Sequence, residues 1–299
     1  MNKVSKRPFV PCAATVAAFT AANGLISAPY FPMSILPFFA AAVCAAVIVA
    51  VTQFLFIKIT CIGNSFFKKT VYLLISISSV AAAVFALREY SRFIFDDVLV
   101  RENYFVIKAI LTFCVYCLAV SKENVIYKFA FLSAVLISAV FVGLFFTSVK
   151  TFDAENIKSA LVFSDFSLKE TAVYFSKMFL PSLLAAVFIC EDQKAIKAGL
   201  LGTAWAFLLG AVVLLDCILS FSLPLASKLD YPYIDDISTV TVGSLFTRMD
   251  GFAYIAFFVC YLIKCGVCVS LCGGMLQNAG IRRKRIVTAA VCAAALLLA

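Results

Sequence analysis

Apolar runs about as long as a bilayer is thick follow one another through this sequence, and that feature excludes most folds. Inside lipid every backbone N–H and C=O must be satisfied by the chain itself, so runs of about 20 apolar residues are readable only as membrane-spanning helices. They fall near residues 9–30, 33–57, 70–95, 103–120, 125–148, 171–190, 198–222, 250–276 and 286–299. The pattern predicts an all-α, polytopic helical membrane protein with about nine transmembrane helices, residues 1–299 forming a single integral membrane domain. Hydrophobic residues make up 64% of the chain and charged residues 14%, too few polar side chains to clothe a water-facing surface of this size.

The basic residues orient the helices. Lys3, Lys6 and Arg7 precede the first run, which continues past Tyr30 into a second apolar segment. A cleaved signal has a shorter apolar region of about 7–15 residues, so this basic head is read as holding the N-terminus in the cytoplasm. Under that topology Lys58, Lys68, Lys69, Lys122, Lys128, Lys194, Lys197 and the run Arg282–Arg285 fall inside. Glu89, Asp96, Asp97, Glu102, Asp153, Glu155, Asp165, Glu170, Asp230, Asp235, Asp236 and Asp250 fall outside. The net charge of +9 is thus a positive-inside signal with attraction to anionic lipid, and calls for no nucleic acid. Two longer outer loops, 149–170 and 223–249, are expected to hold a short helix or cap.

The 12 cysteines sit almost entirely within apolar runs, where they serve as small packing residues. Cys114 and Cys117, and the set Cys265, Cys268 and Cys272, have metal-like spacing, but the chain has 0 histidines to accompany them. No metal site, cofactor or disulfide framework is read from them. No nucleophile with a base, phosphate loop or carboxylate pair is evident, so the chain is not read as an enzyme.

Helix breakers point to a binding site. Residues 19–32 read FTAANGLISAPYFP, placing Asn23, Gly24, Ser27 and Pro29 inside an apolar run. Unwinding there is tolerated only where protein or a wet cavity receives the freed backbone groups, the arrangement with which transporters hold small zwitterions. A simple kink or a small-residue packing face is the alternative reading. A second interruption, Lys177 and Pro181 in the run 171–190, lies in the sixth helix, and Pro181 removes the donor that would bond to the Lys177 carbonyl. First and sixth are the discontinuous positions of an inverted repeat of five helices each. Asn23, Gly24, Ser27, Lys177 and Pro181 are therefore the candidate ligand-binding residues. Ionisable side chains inside spans are expensive; Asp216 and Lys264 are the prominent ones, expected to pair or, for Lys264, to replace a coupling cation.

The segment from Leu229 to Leu271 carries a resemblance. Tyr231-Pro232, Val242-Gly243, Arg248-Met249-Asp250 and Lys264 come in the order and spacing of the B subunit of bacterial spore germination receptors, the spore permease type. Leu87 to Phe95, LREYSRFIF, resembles the end of that family's third helix, and Ala22 to Pro29 its broken first helix. The resemblance implies a fold like that of the amino acid–polyamine–organocation transporters, an inverted repeat with broken first and sixth helices. It also implies a small nutrient ligand such as an amino acid, A-type and C-type receptor subunits as partners, and residence in the cell membrane or spore inner membrane. Arg248 and Asp250 carry the family motif. This sequence departs from the family in bearing Lys177 where a Gly-Glu pair is usual. It shows about nine runs where the family usually has ten, the last of about 14 residues, on the order of 21 Å, so the closing helix of the second repeat is expected to be missing or to lie outside this chain. Three functions follow as expectations: a nutrient sensor signalling germination, an amino acid or cation-coupled transporter, or a non-binding scaffold subunit.

Overall fold

The computed structural model describes residues 9–26, 35–62, 65–98, 103–149, 152–153, 155–156, 158, 167–190, 193–221, 225, 229, 232–239, 250–280 and 284–298. Eleven α-helices make up the chain's described order. They are α1 (Phe9–Ile26), α2 (Ile35–Ile62), α3 (Ser65–Phe93), α4 (Tyr104–Val120), α5 (Glu123–Ser148), α6 (Leu168–Tyr174), α7 (Ser182–Ile189), α8 (Gln193–Ser220), α9 (Pro232–Thr239), α10 (Asp250–Ala279) and α11 (Lys284–Leu298). Single π-helical turns extend α3 over Ile94–Val98 and α6 over Phe175–Phe179. There is no strand among the described residues, and the fold is all-α.

Five helices are long and apolar enough to cross a membrane, six if the bent pair α6–α7 counts as one span; α1, α4 and α11 are shorter apolar helices. The protein is a polytopic integral membrane protein. Several helices outrun the apolar stretches that announced them: α2 runs on to Ile62 and α3 begins at Ser65. Lysine stems allow this, since a helix can continue through the interface while its charged heads reach water or polar partners. Lys68 donates to the Thr60 carbonyl at 2.8 Å, satisfying one of the orphan acceptors at the α2 C-terminus. Polar caps open other helices: the Asn103 side chain accepts from Phe105 N–H at 2.9 Å and Ser167 from Glu170 N–H at 3.4 Å.

α10 is the central helix, with 78% of its apolar window buried. Its small residues bring neighbours close: the Cys265 thiol meets the Ala83 carbonyl of α3 at 4.0 Å. Beside it Tyr90 and Tyr261 stack at 4.2 Å between ring centroids. Cys265, Cys268 and Cys272 are all buried in this packing, as their helical spacing suggested. On the other side α1 packs on α8, where Gly202 makes room for the Ala13 carbonyl. Packing joins α1 to the α6–α7 pair, α2 to α8, α3 to α10 and α4 to α11.

Candidate functional site

The helix over the run 171–190 is interrupted at Lys177 and Pro181. α6 and α7 bend by 45°. The cause is local: Pro181 brings no N–H, and the preceding turn widens so that Leu180 N–H reaches the Phe175 carbonyl at 2.6 Å, five residues back. The Ser182 hydroxyl donates to the Phe179 carbonyl. Such π turns are frequent where a helix serves a site. Lys177 lies within this turn, half-buried, with Glu89 of α3 as a charged neighbour. The turn itself packs on α1 and α2, and Phe179 tilts against Phe38 with ring centroids 5.9 Å apart.

α1 is a continuous helix through Asn23 and Gly24, which form its last turn before Ile26. The break expected after them, at Ser27 and Pro29, falls on residues 27–34, which lie outside the described residues. Ser27 and Arg248 lie outside the described residues, and Asp250 is the first residue of α10. A residue that sequence reasoning missed is Thr20: it is fully buried, and its hydroxyl has no hydrogen-bond partner. It stands three and four residues before Asn23 and Gly24, on the same side of the helix. That spacing was the available signal.

Asp216 and Lys264 do not pair. Asp216 is four residues from the end of α8, about 6 Å along the axis, whereas Lys264 is fourteen residues into α10, about 21 Å from its start. Because the segment bearing α9 joins and packs on those two helices, the side chains sit at different depths. The neighbours of Asp216 are Asp236, Ser148 and Tyr233. Asp236 belongs to α9, the short helix that the loop 223–249 was expected to hold. Burial pushes the Asp236 carboxyl up to about 6, with hydrogen bonds from Ser220 and Ser148 opposing the rise. Among the described residues no three His, Cys, Asp or Glu side chains group as metal ligands.

Two further polar contacts hold the interrupted span in place. Gln53 of α2 is fully buried, and its amide donates to the Ala186 carbonyl of α7 at 3.1 Å and the Ala195 carbonyl of α8 at 3.2 Å. The Tyr127 hydroxyl donates to the Phe188 carbonyl at 3.4 Å. Ala186 and Phe188 are among the last four residues of α7, whose carbonyls lack helical donors.

A family model described as spore germination protein matches residues 59–298, from the end of α2 to the end of α11. No curated protein matches the chain. The match spans well over half of the sequence and includes the Leu87–Phe95 and Leu229–Leu271 segments. This all-α membrane protein, its α6–α7 pair bent at Pro181, belongs to the spore germination protein family.

Proposed function

We propose that the protein is the membrane subunit of a germinant receptor, binding a small nutrient such as an amino acid and signalling germination. The observation that carries this reading is the interrupted α6–α7 pair packed against α1. A widened turn holding Lys177, a bend at Pro181 and the unpartnered Thr20 hydroxyl supply backbone and side-chain groups for a zwitterion. Lys177 would face the ligand's carboxylate, in place of the Gly-Glu pair usual in the family. Closure of the two half-helices around the nutrient would be relayed to A-type and C-type partner subunits in the same membrane, the N-terminus lying in the cytoplasm. A ligand moves such an equilibrium only by its difference in affinity between the two states.

A transporter is the second reading, favoured by Asp216: a span carboxylate buried without a hydrogen-bond partner is what coupled transport uses.

The test is the thermal unfolding of the purified, detergent-solubilised protein against a panel of amino acids, sugars and nucleosides. A ligand at 100 times its Kd adds about 2.7 kcal/mol of stability. A hit abolished by Gly24→Val or Thr20→Val supports the site. Silence across the panel with intact protein moves the assignment to a non-binding scaffold. Uptake into proteoliposomes, lost in Asp216→Asn, would instead identify a transporter.

A further inference from the structure

A groove of about 490 Å³ runs along the outside of the bundle between α3, α10 and α11. α3 supplies its long wall, from Leu73 to Phe85, and Leu276 and Val291 stand on the other side. The lining is apolar. Ser76 brings the one hydroxyl among the described lining residues, and it donates to the Tyr72 carbonyl of its own helix at 2.8 Å. Ile77 and Phe85 are 66% and 65% exposed, so the groove opens on the apolar side that faces lipid.

One end of the groove is basic. Lys69 is exposed and stands four residues before Leu73 and seven before Ser76, on the same stripe of α3. α10 runs antiparallel to α3, since Ala83 meets Cys265, Tyr90 meets Tyr261 and Phe93 meets Phe257. Lys69 is therefore level with the end of α10 near Ala279, and α11 starts just beyond with Lys284 and the exposed Arg285. The sequence between those helices adds Arg282 and Arg283. No Asp or Glu occurs between residues 54 and 88 or between 251 and 299, so none of the three helices brings an acid to that end.

The dimensions select the occupant. Leu73 and Phe85 are twelve residues apart, about 18 Å along the axis, close to the ~15 Å that one leaflet contributes to a hydrocarbon core about 30 Å thick. A helix 10–12 Å across would fill roughly 1,400 Å³ or more over that length, well above the volume of the groove, whereas an acyl chain is thin and flexible enough to lie in it. We propose that the groove seats an acyl chain of an anionic phospholipid, its phosphate held at the basic end by Lys69 and Arg285. Basic pockets between membrane helices attract such head groups, each Lys or Arg adding to the affinity. The bound lipid fastens α11 to α3. Its site is separate from the α6–α7 pair and stands whether or not a nutrient binds there.

The test is the unfolding temperature of the purified full chain in uncharged detergent, titrated with phosphatidylglycerol or with phosphatidylcholine of the same acyl chains. The expected result is a saturable rise of several degrees with phosphatidylglycerol and a much smaller one with phosphatidylcholine. Glycerol phosphate, a head group without chains, should produce none. Lys69→Gln combined with Arg285→Gln should raise the half-saturating phosphatidylglycerol concentration about tenfold or more. Ala81→Trp, which fills the groove, should abolish the rise, while Lys128→Gln, at an exposed lysine of α5, should leave it unchanged. The glutamine variants alter exposed side chains and remain folded, which size-exclusion profiles check. Indifference to both lipids, an equal response to both, or a wild-type response in the Lys69 and Arg285 double variant would each overturn the proposal. So would a full response to glycerol phosphate, a response that survives Ala81→Trp, or a lipid-independent dimer that Ala81→Trp dissociates, which would make the groove a contact between copies of the chain.

Discussion

A Cβ placed on Gly202 of α8 would lie 2.5 Å from the backbone oxygen of Ala13 in α1 and 2.6 Å from the Val16 Cβ. Backbone cannot yield as a side-chain end can, so the closeness of α1 and α8 depends on this hydrogen. Small residues let membrane helices approach where no hydrophobic force between them exists. Gly202→Ala is expected to destabilise the protein by about 1–3 kcal/mol through overpacking. Gly143→Ala on α5, where a Cβ meets nothing within 4 Å, should be neutral or stabilising by up to about 1 kcal/mol. Unfolding temperatures in detergent check both; equal behaviour of the two variants would mean that α1 and α8 do not meet at Gly202.

Gln53 ties the interrupted span to its neighbours, and the tie is directional. Its amide covers the Ala186 carbonyl at the end of α7, so Gln53→Leu leaves a buried acceptor unpaired and should cost about 1–3 kcal/mol. Tyr127→Phe, which loses the long bond to Phe188, should cost less, about 1 kcal/mol or below. Comparing the two variants by thermal unfolding tests the order. The reverse order would show that Tyr127, not Gln53, secures the end of α7.

The stacked pair Tyr90 and Tyr261 offers the opposite lesson. Both hydroxyls are buried without hydrogen-bond partners of good geometry, the Tyr261 oxygen having only the Cys265 thiol beside it, so the rings contribute more than the oxygens. Tyr90→Phe and Tyr261→Phe should be neutral or raise stability by up to about 1 kcal/mol, whereas Tyr261→Ala removes the ring and should cost about 3–5 kcal/mol. A destabilising phenylalanine in either place would reveal a polar partner for that hydroxyl, such as a bound water or ligand.

The spans were legible because bilayer thickness imposes a length that α2, α5 and α8 all display as unbroken apolar sequence. The interruption at Pro181 was equally legible, since a missing N–H is a property of one residue. What stayed hidden depended on depth and on partners distant in sequence. Asp216 and Lys264 looked like a pair because each is charged and inside a span, but nothing in their spacing states how far along their helices they lie. Their depths follow only once α8 and α10 are anchored by the segment carrying α9. Tyr233 and Asp236 read as part of a polar connector, and only the packing of α9 turns them inward. Thr20 was passed over because a threonine in an apolar helix usually bonds to its own backbone, as Thr15 does to the Pro11 carbonyl at 2.8 Å.

Asp236 gives the fold a pH dependence whose sign is opposite to that of a salt-bridged acid. Burial raises its carboxyl from the ordinary 3.8 to about 6, so between those values the folded chain holds a proton that the unfolded chain has lost. Stability contributed by this group therefore falls as pH rises through that window: the penalty is absent below about 4 and complete above about 6. Two pH units correspond to roughly 2–3 kcal/mol, of which about 2 kcal/mol is expected after allowing for local relaxation. At pH 7, Asp236→Asn should be more stable than the wild type by about this amount. The gap should close toward pH 4.5, while exposed acids act alike on both proteins and cancel. The measurement is the difference in unfolding temperature between variant and wild type across that range. A difference independent of pH would show that Asp236 stays ionised throughout, held by a countercharge that its burial alone does not supply.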